Sequence, residues 1–169
     1  MRKLSDFQSR VAAIALGALA MALPAAANPF EPGWTMEADA SSIRFTSVKN
    51  GSVVETSSFA TFTGSISPDG RAEVRVALDS VDTAVDLRNV RMRFLFFETF
   101  KYPEARIEMQ LEEALLADLP QVRRKVLSLP YTLSMHGTMQ AGEAEIAVTL
   151  LGDDMVTVGS NTPVTIELE

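Results

Sequence analysis

With 169 residues, the chain can form one domain with a real core, whereas two halves would each bury too little apolar surface. Its composition, 47% hydrophobic and 22% charged, excludes a disordered polymer. A net charge of -7 argues against nucleic acid as a partner, and the absence of cysteine excludes disulfides, thiol nucleophiles and thiolate metal sites.

Residues 1–27 read as an export signal. Arg2, Lys3 and Arg10 precede an apolar run from Val11 to Leu23, followed by Pro24 and the small-residue stretch Ala25-Ala26-Ala27. Cleavage is expected after Ala27. That segment carries three basic residues against one acidic residue, so the remainder would stand at -9. The run is short and Ala-rich for a membrane span, and no later segment qualifies. With no Cys available for acylation, a free periplasmic protein is the expectation.

Residues 28–33, Asn-Pro-Phe-Glu-Pro-Gly, read as a turn-rich leader, with order beginning at Trp34. Two short strands follow from period-two alternation: Trp34, Met36 and Ala38, then Ile43 and Phe45. Lys49-Asn50-Gly51 fits a hairpin turn. The next strand, Val53 to Ile66, carries Phe59 and Phe62 three residues apart, so a β-bulge is expected between them to put both on one face. After the turn Ser67-Pro68-Asp69-Gly70, Ala72, Val74, Val76 and Leu78 alternate cleanly with polar residues.

The period changes between Asp86 and Thr99. Leu87, Val90, Phe94 and Phe97 recur at helical spacing, which predicts one amphipathic helix over 86–99 with its apolar face turned inward. Tyr102-Pro103 ends it, and Ala105, Ile107, Met109 and Leu111 mark another strand. Residues 113–122 fit a helical turn or an irregular crossing equally well. Three more alternating runs are Leu129 to Met135, Ala144 to Leu150, and Val164 to Leu168. About eight strands, each with one apolar face, predict an all-β fold: an antiparallel barrel, closed so that no edge is left free.

Catalytic chemistry is sparse. His136 is the only histidine and reads as a solvated strand-end residue. Glu112-Glu113 and Asp153-Asp154 lack the spaced oxygen ligands of a calcium loop. Ser41-Ser42 and Ser57-Ser58 have no nucleophile elbow, and no phosphate-binding glycine loop occurs. The basic clusters Arg88, Arg91 and Arg93, and Arg123 to Lys125, read as solvated faces. Neither an enzyme nor a metal protein is expected. Bulky apolar residues such as Trp34, Met36 and Met135 could line a binding interior or simply fill a core.

Six features in order are similar to the YceI-like family. They are Trp34 to Asp39, Ser42-Ile43-x-Phe45, Phe59-x-x-Phe62-x-Gly64, Val81-Asp82-Thr83, the Arg88 to Phe97 helix, and Tyr102-Pro103. The resemblance covers nearly all of 34–169. It implies an exported, lipocalin-like barrel that holds a polyisoprenoid or quinone-type chain, with no other cofactor. The residues expected to line the apolar interior are then Phe45, Phe59, Phe62, Val76, Phe94, Phe97, Met109, Leu133 and Ile146. The chain departs from the family pattern in having Ser47 to Lys49 where many relatives carry His, no Gly before Phe59, and Asn89 in place of Asp after Arg88. A filled barrel serving as an envelope stress or protein-interaction module is the alternative, and the sequence leaves a homodimer open.

Overall fold

Alternating apolar residues become ten antiparallel strands in a computed structural model that describes residues 28–49, 53–152 and 155–166. The export signal and the Asn50-Gly51 turn lie outside the described residues. The strands are β1 (Trp34–Thr35), β2 (Ile43–Lys49), β3 (Val53–Phe59), β4 (Phe62–Ile66), β5 (Arg71–Ala77), β6 (Val81–Asp82), β7 (Glu104–Gln110), β8 (Arg124–Met135), β9 (Thr138–Leu150) and β10 (Val156–Ser160). Seven form one sheet in the order β1-β4-β5-β7-β8-β9-β10, and β2, β3 and β6 form a second.

The expected closed eight-stranded barrel is therefore corrected to an antiparallel, lipocalin-like open half-barrel beside a smaller sheet. Closure would need the two edges of the large sheet to meet, but β1 contributes only two paired residues, and β2 and β3 pair with each other. The predicted bulge is also replaced. At Ala60 and Thr61 the chain leaves the small sheet for the large one, and this corner lets Phe59 and Phe62 enter the same core cluster.

Several other boundaries shift. Asn28 to Gly33 is already packed: Phe30 is 2% exposed, Asn28 Nδ2 donates to Pro68 O at 2.9 Å, and Trp34 Nε1 donates to Pro29 O at 2.9 Å. The ambiguous stretch forms two short helices, α2 (Glu113–Leu116) and α3 (Leu119–Val122). The last strand is Val156 to Ser160 rather than Val164 to Leu168, because backbone pairing with β9 runs from Val156↔Leu150 to Ser160↔Ile146. Residues 162 to 166 pair with nothing regular, and Leu168 lies outside the described residues. His136-Gly137 closes the β8–β9 hairpin with φ of 52° and 76°, the left-handed pair that a two-residue turn requires.

The core divides in two. Phe62, Val76, Leu78, Val81, Phe97, Ala105 and Leu133 form one cluster, and Leu119, Leu127, Leu129 and Val148 form the other. They adjoin at β7–β8, where Met109 and Tyr131 are cross-strand partners yet pack into different clusters. Lys125, on the inward phase of β8, donates from Nζ to Leu115 O and to Asp118 Oδ1, each at 2.7 Å, and so ties α2 and the start of α3 across the sheet end. It is a clamp rather than part of a solvated face.

Candidate functional site

The helix α1 (Asp86–Arg91) continues through a π-helical stretch, Met92–Phe96, so the predicted helix exists with a wider last turn. Its orientation overturns the expectation. The half-buried positions are Arg88, Asn89, Met92 and Arg93, with Phe97 fully buried, whereas Leu87, Val90, Arg91, Phe94 and Leu95 are exposed. The inward wall carries Arg88, Asn89 and Arg93 together with Met92 and Phe97, while Leu87, Val90, Phe94 and Leu95 make an apolar wall that faces outward.

Specific bonds hold this orientation. Arg88 Nη2 lies 3.0 Å from Glu55 Oε1 on β3. Asn89 Oδ1 accepts from the backbone N–H of Thr83 at 2.8 Å and from its hydroxyl at 2.7 Å, and Thr83 is itself buried. Burying the Thr83 N–H without an acceptor would cost more than exposing apolar carbon at the surface, so the face that carries Asn89 is the one that turns in. At the helix end, Phe97 joins an aromatic series, with ring centroids 5.9 Å from Phe59, which is in turn 5.2 Å from Phe45.

The sequence-predicted lining residues are therefore distributed. Phe45, Phe59, Phe62, Val76, Phe97 and Leu133 gather in the first cluster, and Met109 and Ile146 pack against the second. Phe94 is in neither and is 57% exposed. Among them, Phe62, Val76, Phe97 and Leu133 are buried by protein alone, while Phe45, Phe59, Met109 and Ile146 keep accessible surface. The periodicity missed Leu95 and Phe100, while Tyr131 stands on the inward phase of the Leu129 to Met135 run. Tyr131 lies over Gly142, where an added Cβ would fall 2.7 Å from the phenol oxygen, and the Ala141-Gly142 pair was the available signal.

Two surface cavities, about 380 and 430 Å³, open broadly to the outside. The first is of mixed polarity, lined by residues including Lys101, Tyr102, Arg106, Met135, His136 and Met139. The second lies beside Thr61, Thr63, Arg75 and Phe100. Neither is the dry channel expected between helix and strands. His136, read from sequence as solvated, is partnered: Nε2 is 3.0 Å from Glu98 Oε2, and its ring centroid is 4.6 Å from that of Tyr102. It joins the hairpin to the segment after the helix.

Among the described residues, no group of three or more His, Asp or Glu side chains could hold a metal. Glu112 and Glu113 sit at the exposed start of α2, Ser57 is buried within β3, and Asp153-Asp154 lies outside the described residues. No helix of the described residues is long and apolar enough to cross a membrane.

A model of the YceI-like domain matches residues 34–169. Among solved structures, the chain is similar to a polyisoprenoid binding domain from Saccharophagus degradans implicated in plant cell wall breakdown. They share 32% identity over 77% of this chain and 75% of that one, with a TM-score of 0.72. Burkholderia cenocepacia BcnA shares the fold at 16% identity, covering 64% of this chain and 67% of its own, with a TM-score of 0.50. No curated protein sequence matches. On the match across 34–169 and the structural likeness at 32% identity, the chain belongs to the YceI-like family.

Proposed function

We propose that this protein binds a long apolar chain of isoprenoid type, a polyprenol or a quinone tail, and acts as its carrier or reservoir in the periplasm after cleavage near Ala27. The observation that carries the reading is the likeness to the polyisoprenoid binding domain, the relative at 32% identity over 77% of the chain. The apolar surface left open at Phe45, Phe59, Met109 and Ile146 supports it.

The mechanism is passive. The tail lies against the half-barrel and loses contact with water, gaining about 0.8 kcal/mol for each methylene removed. Phe62, Val76, Phe97 and Leu133 form the floor beneath it, already packed, while the half-buried residues make the direct contacts. Phe94, on the outward helix face, takes no part in this contact.

Native mass spectrometry of the exported protein tests this directly. The expected result is an extra mass that organic solvent extracts as an isoprenoid, with Phe45→Ala, at a half-buried contact position, lowering its amount. Protein that carries no lipid and takes up neither quinone nor polyprenol would instead favour an interaction module with a filled core. The complete burial of Val81 and Leu78 at the centre of the first cluster is what supports that second reading.

A further inference from the structure

Arg93, on the inward wall of the helix, carries a donor with no acceptor. Its Nε is sealed from solvent without a hydrogen bond, and its guanidinium joins no ion pair among the described residues. The neighbouring carboxylates are engaged elsewhere or exposed: Glu55 bonds to Arg88, Glu98 to His136, Asp82 accepts from the N–H of Ala84, and Asp86 stands exposed at the first turn of α1. An unpaired buried donor on a cation is costly, and arginine cannot escape that cost by losing its proton. Such a group in a native fold calls for a partner.

The place of Arg93 over the small sheet follows from two contacts. Arg88 meets Glu55 and Phe97 meets Phe59, so about 13.5 Å of helix at 1.5 Å per residue runs beside about 13 Å of strand at 3.3 Å per residue. Residue 93, near the midpoint, therefore stands over Ser57, which shares the inward phase of β3 with Glu55 and Phe59. Ser57 is buried, and its hydroxyl has no hydrogen-bond partner among the described residues. Its cross-strand partner is Phe45, one of the half-buried residues assigned to the tail.

We propose that Arg93 and Ser57 form the head-group end of the lipid site, and that the head they take is an oxyanion, a phosphate ester of the isoprenoid chain. This rests on the carrier reading, since a tail along Phe45 and Phe59 is what brings the head to this end. A neutral acceptor, such as an alcohol or a quinone carbonyl, would satisfy one N–H and leave the charge unmatched. A phosphate answers the donor and the charge together, and offers a further oxygen to the Ser57 hydroxyl. Arg88 is already matched by Glu55, and Arg91 is exposed on the other wall, so neither substitutes for Arg93. Arg93 is half-buried rather than enclosed, and a rotation of its side chain brings the guanidinium to an arriving head. The free protein bears the unmet donor and the ligand removes it, which turns that cost into selectivity for the phosphorylated lipid.

Titration of delipidated protein with geranylgeranyl phosphate, geranylgeraniol and inorganic phosphate tests the proposal, with Kd and melting temperature measured for each variant. The phosphate ester is expected to bind about tenfold or more tighter than the alcohol, the fold-change of one charge-assisted hydrogen bond. Arg93→Met should bring the ester down to the affinity of the alcohol and leave the alcohol unchanged. Arg93→Lys keeps a charge without the fork and should fall between, while Arg91→Gln on the outward wall should match wild type. Because methionine removes an unpaired cation and keeps most of the length, unliganded Arg93→Met should melt no lower than wild type. A lower melting temperature would show that Arg93 holds the fold through a partner, and overturns the proposal. An ester preference that survives Arg93→Met overturns it too, by placing the head elsewhere. Equal wild-type affinity for ester and alcohol defeats the head-group site alone and leaves the carrier reading standing. If neither lipid binds but inorganic phosphate raises the melting temperature of wild type and not of Arg93→Met, the anion site stands and the carrier reading falls. No response to any of the three defeats both.

Discussion

Asn89 on α1 serves both donors of Thr83 with one atom: Oδ1 accepts the backbone N–H at 2.8 Å and the hydroxyl at 2.7 Å. This contact fixes which wall of the helix meets the small sheet. Asn89→Ala would leave the Thr83 N–H without an acceptor and its hydroxyl with only the longer bond to Val85 O at 3.3 Å, and a loss of about 1 to 3 kcal/mol in urea denaturation is expected. Asn89→Asp keeps an acceptor at the same place and should lose less than the alanine variant, although it forfeits the Nδ2 contact to Asp82 at 3.5 Å. Equal losses for the two variants would show that acceptance by Oδ1 is not what holds the helix.

Tyr131 and Gly142 face each other across β8–β9, and the ring occupies the space where a side chain would stand. Gly142→Ala should push the ring off the strand and cost about 1 to 3 kcal/mol. Pairing it with Tyr131→Leu should recover much of that loss, which a double-mutant cycle would read as coupling. Strict additivity of the two substitutions would mean that the ring is free to move aside.

The acid limb of stability is expected to depend on the clamp at the sheet end. The hydrogen bond from Lys125 holds the Asp118 carboxyl below its ordinary value of 3.8. A carboxyl whose folded pKa is depressed stabilises the fold above the unfolded pKa and loses that contribution as pH falls through the folded one. Asp118→Asn should therefore be less stable than wild type at neutral pH, with the difference shrinking as pH drops below the ordinary aspartate value. The same sign applies to Glu73, lowered by its hydrogen bond from Arg75. Denaturation midpoints across the acid range check it: a difference that does not change with pH would remove ionisation of Asp118 as the cause.

Much of the strand pattern was legible because alternation is a local property. Val74 and Val76 on β5, and Leu129 and Leu133 on β8, point inward for the same reason that any period-two sequence has one apolar face, and the structure places all of them in or against the core. The site was less legible. Six of the nine expected lining residues came together, but their exposure could not be read from spacing, and of the helix's apolar row only Phe97 lies inward, whereas Leu87, Val90 and Phe94 face out. Periodicity identifies that a helix has two unlike faces; it does not say which one finds a partner.

By itself, then, the order of residues determined the antiparallel β class, the positions of most strands, the helix after Val85 and the family to which they belong. Only the tertiary structure decided that the half-barrel stays open, that the chain crosses between sheets at Ala60 and Thr61, and that Arg88 and Asn89 turn inward while Leu87, Phe94 and Leu95 face out. The physical reason is that these outcomes depend on partners far along the chain. Glu55 lies 33 residues before Arg88, and a half-buried partner so far along the chain can outweigh the local preference of an apolar stripe.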